Sequence, residues 1–332
     1  MKKIEIDHST LSLENLKNKK ITLIGYGIQG RAQALNLRDS GLNPYIGNIS
    51  DHYYDDAVSD NMPISNIEEA SKDADIIMLL VPDQSQPETF QKILKGKPSQ
   101  NCLIIVAHGY SIYHSNISMP ETFSIGMLAP RMPGAPIRDA YLQGTGIPAF
   151  FDVVKDKSGN TRDELISLAH AIGFTKGGLF EVPLTEETEI DLFIEQFYLP
   201  LVIHSARIAH DFLTEEGLNS STVLMELFAS GEIGELLTRA SKNGLYQTWM
   251  NHASPTCRFG IKRAVENKMP TDSIKEFAKN VLLEIRNGSF NKDLTKEGHN
   301  GYTNLLKFEK NNIDSSFTKN FEKTKKMDNF NR

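Results

Sequence analysis

Cysteine, long apolar runs and an excess of positive charge are what this sequence has least of. Only Cys102 and Cys257 occur in 332 residues, too few for a disulfide framework, and that scarcity fits a reducing compartment. No unbroken apolar stretch exceeds that from Ile76 to Val81, far short of the ~18 residues a bilayer-spanning helix requires. The opening residues Met1-Lys2-Lys3-Ile4-Glu5-Ile6-Asp7 have no apolar stretch of signal-peptide type. The 36 Lys and Arg against 42 Asp and Glu leave a formal net charge of −6, without the footprint of a nucleic-acid binder. A cytoplasmic protein with neither membrane nor nucleic-acid partner is the expectation. With 39% hydrophobic and 23% charged residues the composition is globular, and the length suggests about two domains.

What is present is first a βα alternation. Ile21-Thr22-Leu23-Ile24 reads as a buried strand, and Gln29 to Asp39 as an Ala- and Leu-rich helix stopped by Ser40-Gly41. Further strands are expected at Pro44-Tyr45-Ile46-Gly47, Asp75 to Val81, Cys102 to Ala107, Ser124 to Leu128 and Pro148 to Val154, with helices at Ile67 to Lys72 and Arg162 to Ile172. That order predicts an α/β fold, a Rossmann-like doubly wound parallel sheet. After Pro183 the β-rich runs stop, and Thr185 to Thr214, Ser221 to Ser241, Ser273 to Arg286 and Asn304 to Lys325 all read as helix. The expected domains are therefore 1–183, nucleotide-binding, and 184–332, all-helical. The polar, basic stretch Lys319 to Arg332 reads as a frayed terminus.

Between the first strand and its helix lies Gly25-Tyr26-Gly27-Ile28-Gln29-Gly30, a G-x-G-x-x-G element. The first glycine makes the tight turn, the second admits a pyrophosphate, and the third lets helix and strand pack closely, while the helix N-terminus attracts the anion. In this strand–turn–helix context the motif points to a dinucleotide. The loop after the next strand, Asn48-Ile49-Ser50-Asp51-His52-Tyr53, holds no Arg or Lys. A carboxylate at Asp51 would repel a 2′-phosphate, which favours NADH; NADPH stays open through Ser50 and backbone amides.

The helical half contributes carboxylates. Glu186, Glu187, Glu189, Asp191 and Glu195 crowd one segment, and the four-residue spacing of Asp191 and Glu195 places them on one helix face. A solvated acidic face is the plain alternative; hard cations such as Mg²⁺ also take such oxygen ligands. Leu192, Phe193, Ile194 and Phe197 around the pair, and Val223, Leu224, Met225, Leu227 and Phe228 around Glu226, imply buried helices in which carboxylates are paired or ligating. His108 ends the strand Leu103 to Ala107, at the sheet edge where open α/β folds bind ligands.

Gly25 to Gly41 closely resembles the cofactor loop and helix of the ketol-acid reductoisomerases, short form. So do Val81-Pro82-Asp83-Gln84, Ala107-His108-Gly109-Tyr110, Ala129-Pro130-Arg131-Met132-Pro133-Gly134, Glu186 to Gln196 and Ile285 to Phe290. The resemblance implies a Mg²⁺- and NAD(P)H-dependent enzyme of branched-chain amino-acid biosynthesis type. Its small-molecule substrate would be a 2-aceto-2-hydroxy acid or a 2-keto-3-hydroxy acid. Two Mg²⁺ ions would be held by Asp191, as the bridging ligand, with Glu195 and with Glu226 of the partner copy in an entwined homodimer or higher oligomer. Val81, Pro82, Gln84, His108 and Gly134 would join the glycine loop, Ser50 and Asp51 around the cofactor. His108, Arg131 and Glu195 would be the catalytic set, with Ser254 toward substrate.

Several positions depart from the family pattern. Arg131 stands where the family has Lys, and a guanidinium surrenders no proton at useful pH. The positions four before and four after Glu226 are Thr222 and Ser230, so one family carboxylate is missing. Ser254-Pro255-Thr256-Cys257 replaces a Ser-Asn-Thr-Ala run. Two alternatives follow: a paralogue that reduces a related carbonyl or imine without isomerising it, and a non-catalytic nucleotide-binding sensor.

Overall fold

The computed structural model describes residues 1–7 and 11–327. The chain forms two compact units, Met1–Asp191 and Leu192–Arg332. The division falls inside a helix, Leu184–Phe193.

In the first unit the described strands are β1 (Lys2–Lys3), β2 (Ile21–Ile24), β3 (Tyr45–Gly47), β4 (Ile64–Ser65), β5 (Ile76–Leu79), β6 (Leu103–Val106), β7 (Ser124–Pro130), β8 (Ala149–Lys155) and β9 (Leu179–Glu181). They make one sheet of order β1-β9-β8-β7-β6-β5-β2-β3-β4. β2, β5, β6 and β7 are entirely buried, which explains the mostly aliphatic runs of β2, β5 and β6: a strand covered by helices on both faces has no polar side to alternate with. From β2 the chain winds outward through β3 and β4, then returns to β5 and winds the other way. The reversal opens a crevice beyond the carboxyl ends of β2 and β5, where such sheets bind ligands.

The sheet is mostly, not wholly, parallel. β7 pairs antiparallel with β8 and β1 antiparallel with β9. Strand and helix still alternate here, but β8, which follows β7 through the helix Gly134–Leu142 and a return loop, runs opposite to β7, so the expected parallel order is broken at that pair. Helix Gln86–Lys95 was not expected from the sequence; its apolar positions Phe90 and Ile93 sit among polar residues, and they pack into the sheet.

The second unit is helical in every described element. Two expected continuous helices are interrupted. Leu184–Phe193 runs into a π-helical turn, Ile194–Tyr198, before Leu199–Glu215. Ser220–Leu224 runs into a second, Met225–Ala229, and the chain then breaks at Gly231, whose φ of 83° starts a new helix, Glu232–Asn243. The expected helix Asn304 to Lys325 is two, Thr303–Ile313 and Ser316–Met327. The tail is therefore helical as far as Met327 rather than frayed; residues 328–332 lie outside the described set. Few apolar side chains of this unit are buried in the single chain, Leu192, Val223, Leu224, Val281 and Ile285 among them, while Ile203, Phe212, Phe259 and Phe308 are more than half exposed. No helix among the described residues is long and apolar enough to cross a membrane.

One glycine fixes how the strand-end segment after β7 meets the glycine loop. A Cβ on Gly134 would lie 1.7 Å from the Ile28 carbonyl oxygen, so helix Gly134–Leu142 starts in backbone contact with the loop. Gly134→Ala is expected to destabilise the protein by about 1–3 kcal/mol, the usual cost of overpacking a tight contact, read as a lower midpoint in urea denaturation.

Candidate active site

The glycine loop performs three separate steric tasks. Gly25 has φ of 103° and a Cβ there would press on the Leu80 carbonyl at 2.9 Å. A Cβ on Gly30 would sit 2.0 Å from the Gly25 oxygen, so helix Ile28–Asp39 could not start this close to β2 with any larger residue. Gly27 is different: nothing approaches its Cβ position closer than 4.0 Å, and as the residue preceding the helix it offers no capping side chain. The first N–H groups of the helix thus have no side-chain cap beside open space at Gly27, the kind of helix start that suits a phosphate.

That loop lines a cleft of ≈ 670 Å³. Of the residues expected around the cofactor, Gly25, Tyr26, Gly27, Ile28, Gln29, Asp51, Val81, Pro82 and His108 line it. Gly30 and Gly134 do not; they are packing glycines. Ser50 and Gln84 are exposed and also lie off the cleft. Tyr26 contributes backbone only, because its ring belongs to the core and its hydroxyl donates to Asp60 Oδ2 at 2.9 Å. Sequence reading missed Asn48, Tyr53, Asp83, Gln86 and Lys92, all of which line the cleft. The signal for several was available: each follows the carboxyl end of a strand or begins the next helix.

Asp51 caps helix His52–Ser59, its Oδ1 accepting from Tyr54 N at 3.1 Å and from Asn48 Nδ2 at 2.8 Å. The carboxylate therefore already occupies the anion-favouring end of this helix. Among the described lining residues the lysine is Lys92, and it is paired with Glu88 at 2.8 Å.

At the inner end of the cleft, His108 follows β6 and belongs to a cluster with Arg131, at the end of β7, and with Glu187 and Asp191, one turn apart on helix Leu184–Phe193. A Cβ on Gly109 would meet Thr188 Oγ1 at 2.1 Å, so this helix packs directly against the turn after β6. Glu187 is wholly buried and takes three partners: His108 Nδ1 at 3.2 Å, Gly109 N at 3.3 Å and Arg131 Nη2 at 2.9 Å. Asp191 takes Arg131 Nη1 on Oδ1 at 3.3 Å and has Oδ2 3.6 Å from His108 Nδ1. Tyr113 donates to Glu189 Oε1 at 2.9 Å on the same helix.

These contacts set the charges. Burial alone would neutralise His108, but the hydrogen bond to Glu187 and the negative charges of Glu187, Asp83 and Asp191 outweigh it and push its pKa up to about 9. Glu187 answers in the opposite sense: burial raises it, yet His108, Arg131 and the Gly109 amide hold it below the usual carboxylate range. Asp83 has no such cation bonded to it. Its burial, with Glu187 and Asp191 nearby, pushes it up to about 6 against the pull of His108.

Among the described residues, one group of His, Cys, Asp and Glu side chains is gathered closely enough to hold a metal ion: His108, Glu187 and Asp191. It contains neither Glu195 nor Glu226. Each of those stands in a π-helical turn and is exposed in the single chain, contrary to the burial expected from their apolar neighbours. Ser254 is exposed as well, capping helix Pro255–Asn267 at Cys257 N. Glu187, which the sequence left in an acidic crowd, is the better-buried member of the four-residue pair with Asp191.

A raised His108 pKa means the folded state holds its proton more tightly than an unfolded chain with a pKa near ~6.5. The stability it contributes is fully present below about pH 6.5 and is lost as pH rises through about 9. In the metal-free protein an imidazole titration followed by NMR is expected to show this midpoint, falling toward the ordinary histidine value in Glu187→Gln.

Comparison with known proteins places both halves of the chain in one family. Residues 15–178 match the NADPH-binding domain of acetohydroxy acid isomeroreductase, and residues 184–330 match the ketol-acid reductoisomerase C-terminal domain. The ketol-acid reductoisomerase (NADP(+)) of Pyrobaculum aerophilum is 33% identical over 309 residues, covering 92% of this chain and 93% of that one. The enzyme of the same name from Methanocaldococcus jannaschii is 33% identical over 297 residues, 89% of each. Among solved structures, an NADH-preferring ketol-acid reductoisomerase from an uncultured archean superposes with a TM-score of 0.88 at 26% identity, over 97% of this chain and 98% of that one. The shared features are a dinucleotide-binding sheet and an all-helical second half, and the chain is a homologue of NAD(P)H-dependent oxidoreductases. By both of its domains, this chain belongs to the ketol-acid reductoisomerase family.

Proposed function

We propose that this protein converts a 2-aceto-2-hydroxy acid into a 2,3-dihydroxy acid with NADH, in a Mg²⁺-assisted alkyl shift followed by reduction. The observation that carries the reading is the charged cluster on Glu187, which sets a cationic histidine and a fixed arginine beside the nucleotide cleft. In the first half the alkyl group moves with its electron pair from C2 to the C3 carbonyl carbon; the C3–O π bond opens onto its oxygen, which gains a proton, while the C2 hydroxyl loses its proton and becomes the ketone. In the second half a hydride from the reduced nicotinamide adds to that ketone carbon and a proton completes the alcohol.

The chain's own residues divide this work. Glu187 occupies Nδ1 of His108, leaving Nε2 as the ring's donor toward an oxygen that gains negative charge. Arg131 Nε is buried and without a hydrogen-bond partner; a substrate carboxylate or alkoxide oxygen is the natural acceptor for it. Ser254 is read as a further substrate contact. Asp191, Glu195 and Glu226 are hard oxygen donors of the type Mg²⁺ takes, and Asp191 keeps a third of its side chain exposed; by donor type they suit the ion, and we read them as the residues that would hold it. When bound, the ion would polarise the carbonyl and offset negative charge on the oxygens. We read the exposure of Glu195 and Glu226, like the exposed apolar side chains of the second unit, as a surface completed by another copy of the chain, in a homodimer or higher oligomer.

One observation favours a narrower reading, reduction without alkyl migration: Arg131 cannot serve as an acid or base. Both readings are tested by supplying purified enzyme, Mg²⁺ and NADH with 2-acetolactate and, separately, with 3-hydroxy-3-methyl-2-oxobutanoate. Oxidation of NADH with both is the expected result. Turnover of the second compound alone would select the narrower reading, and turnover of neither would refute both.

For the cofactor, Asp51 at the helix cap and the absence of an unpaired lysine from the described cleft lining support NADH over NADPH. Asp51→Ser keeps a capping side chain and removes the charge. It is expected to move the NADH-to-NADPH ratio of dissociation constants toward NADPH on the order of tenfold, measured at one salt concentration by fluorescence titration.

A further inference from the structure

We infer that Gln29 is a positioning residue for Arg131: its side-chain amide ties the glycine loop to the segment carrying the guanidinium, so that a nucleotide seated on the loop also fixes the cation beside it. The inference rests on the reading of Arg131 as a substrate contact and names what holds it in register with the cofactor.

The link is built from two amides and a carbonyl. Gln29 is the second residue of helix Ile28–Asp39 and lines the nucleotide cleft. Its Nε2 donates to the Met132 carbonyl at 3.0 Å, one residue beyond Arg131. Its Oε1 accepts from Gln33 Nε2 at 3.1 Å, one turn further along the helix. The polarity is set at the Met132 end. A carbonyl oxygen only accepts, so the Gln29 amide must offer it nitrogen and turn its own oxygen toward Gln33. Gln33 is wholly buried, and its Oε1 is enclosed with no hydrogen-bond partner among the described residues. A buried polar atom left unpaired is destabilising, and the hydrogen bond that Gln33 does make is the one that orients Gln29.

The segment is held at both ends. The Arg131 backbone N–H donates to the Pro148 carbonyl at 2.9 Å, and Gly134 touches the Ile28 carbonyl with no room for a Cβ. Between them the Met132 side chain is exposed and Pro133 has no N–H to give, which leaves the Met132 carbonyl as the handle on the middle of the segment. The backbone amides at the start of the helix are those that suit a phosphate, and the side chain of Gln29, at the same helix start, reaches Met132. Ordering the loop therefore orders the segment, and with it the guanidinium that forks between Glu187 Oε1 and Asp191 Oδ1.

Hydrogen–deuterium exchange of the full chain, read by mass spectrometry with and without NADH, tests the link with no substrate present. NADH is expected to slow the amides of Arg131, Met132 and Gly134 about tenfold, together with those of the glycine loop. Gln29→Met, of similar length but without an amide, is expected to keep the loop's protection and an NADH dissociation constant within about twofold of the parent, and to lose the segment's protection. Gln33→Met is expected to lose it in part, and the double variant no more than Gln29→Met alone, because the two side chains act in one chain of bonds. With melting midpoints showing it folded, Gln29→Met is also expected to raise KM about tenfold for whichever of the two substrates is turned over. Segment protection retained in folded Gln29→Met, or loop and segment protection lost together, would overturn the inference and leave the reading of the active site standing. Coupled protection in an enzyme that turns over neither compound would refute that reading and leave the link in place.

Discussion

A single carboxylate with no exposure organises the site. Glu187 lies between the turn after β6, the end of β7 and its own helix, and it accepts a hydrogen bond from each of the first two. Burying a charge is tolerated only when it is fully paired, so Glu187 fixes three things at once: the protonation of His108, the orientation of Arg131 and the docking of helix Leu184–Phe193 on the sheet. Gly109 is the steric half of the same arrangement, because any side chain there would collide with Thr188. The cluster is also charge-balanced. Glu187 and Asp191 supply two negative charges, and Arg131 and protonated His108 supply two positive ones, which is why so much charge is stable at the edge of a hydrophobic sheet.

Much of this was legible in the sequence, and the reasons are local. The glycine spacing, the buried strands and the switch from β-rich to helical runs are short-range patterns, and each appears at the residues where it was expected. His108 was legible because the end of an apolar strand in an open sheet is a place where ligands bind. The antiparallel β7–β8 pair was not, because strand direction depends on how the chain returns and not on the strand's own composition. Glu187 was hidden by its neighbours. Glu186, Glu187, Glu189, Asp191 and Glu195 look alike in sequence, and only the packing of one helix face against Gly109 separates the buried member from the solvated ones. The expectation that apolar neighbours bury Glu195 and Glu226 failed within one chain for a related reason. Hydrophobic flanks record that a segment will be covered, without recording by what.

The nucleotide end follows a different physical rule from the catalytic end. At Gly27 the protein provides space and a helix start without a side-chain cap. At Asp51 it provides a charge, which occupies the end of one helix. At Arg131 the charge is held instead by two carboxylates and lies over the Phe150 ring. Three short segments, each following a parallel strand, thus carry three different features: open space, a capped helix end and a paired cation.

The two π-helical turns carry a final consequence. Such a turn holds one more residue than an α-helical turn, and each residue of a helix advances its side chains by roughly 100°. The direction of Glu195 and of Glu226 is therefore written in the number of residues in their helices, as well as in their identity. A chain shortened by one residue at Ile194–Tyr198 or Met225–Ala229 would keep its glutamate and its helix while turning the side chains that follow. In these helices length sets direction, and two chains with the same acidic residues need not point them the same way.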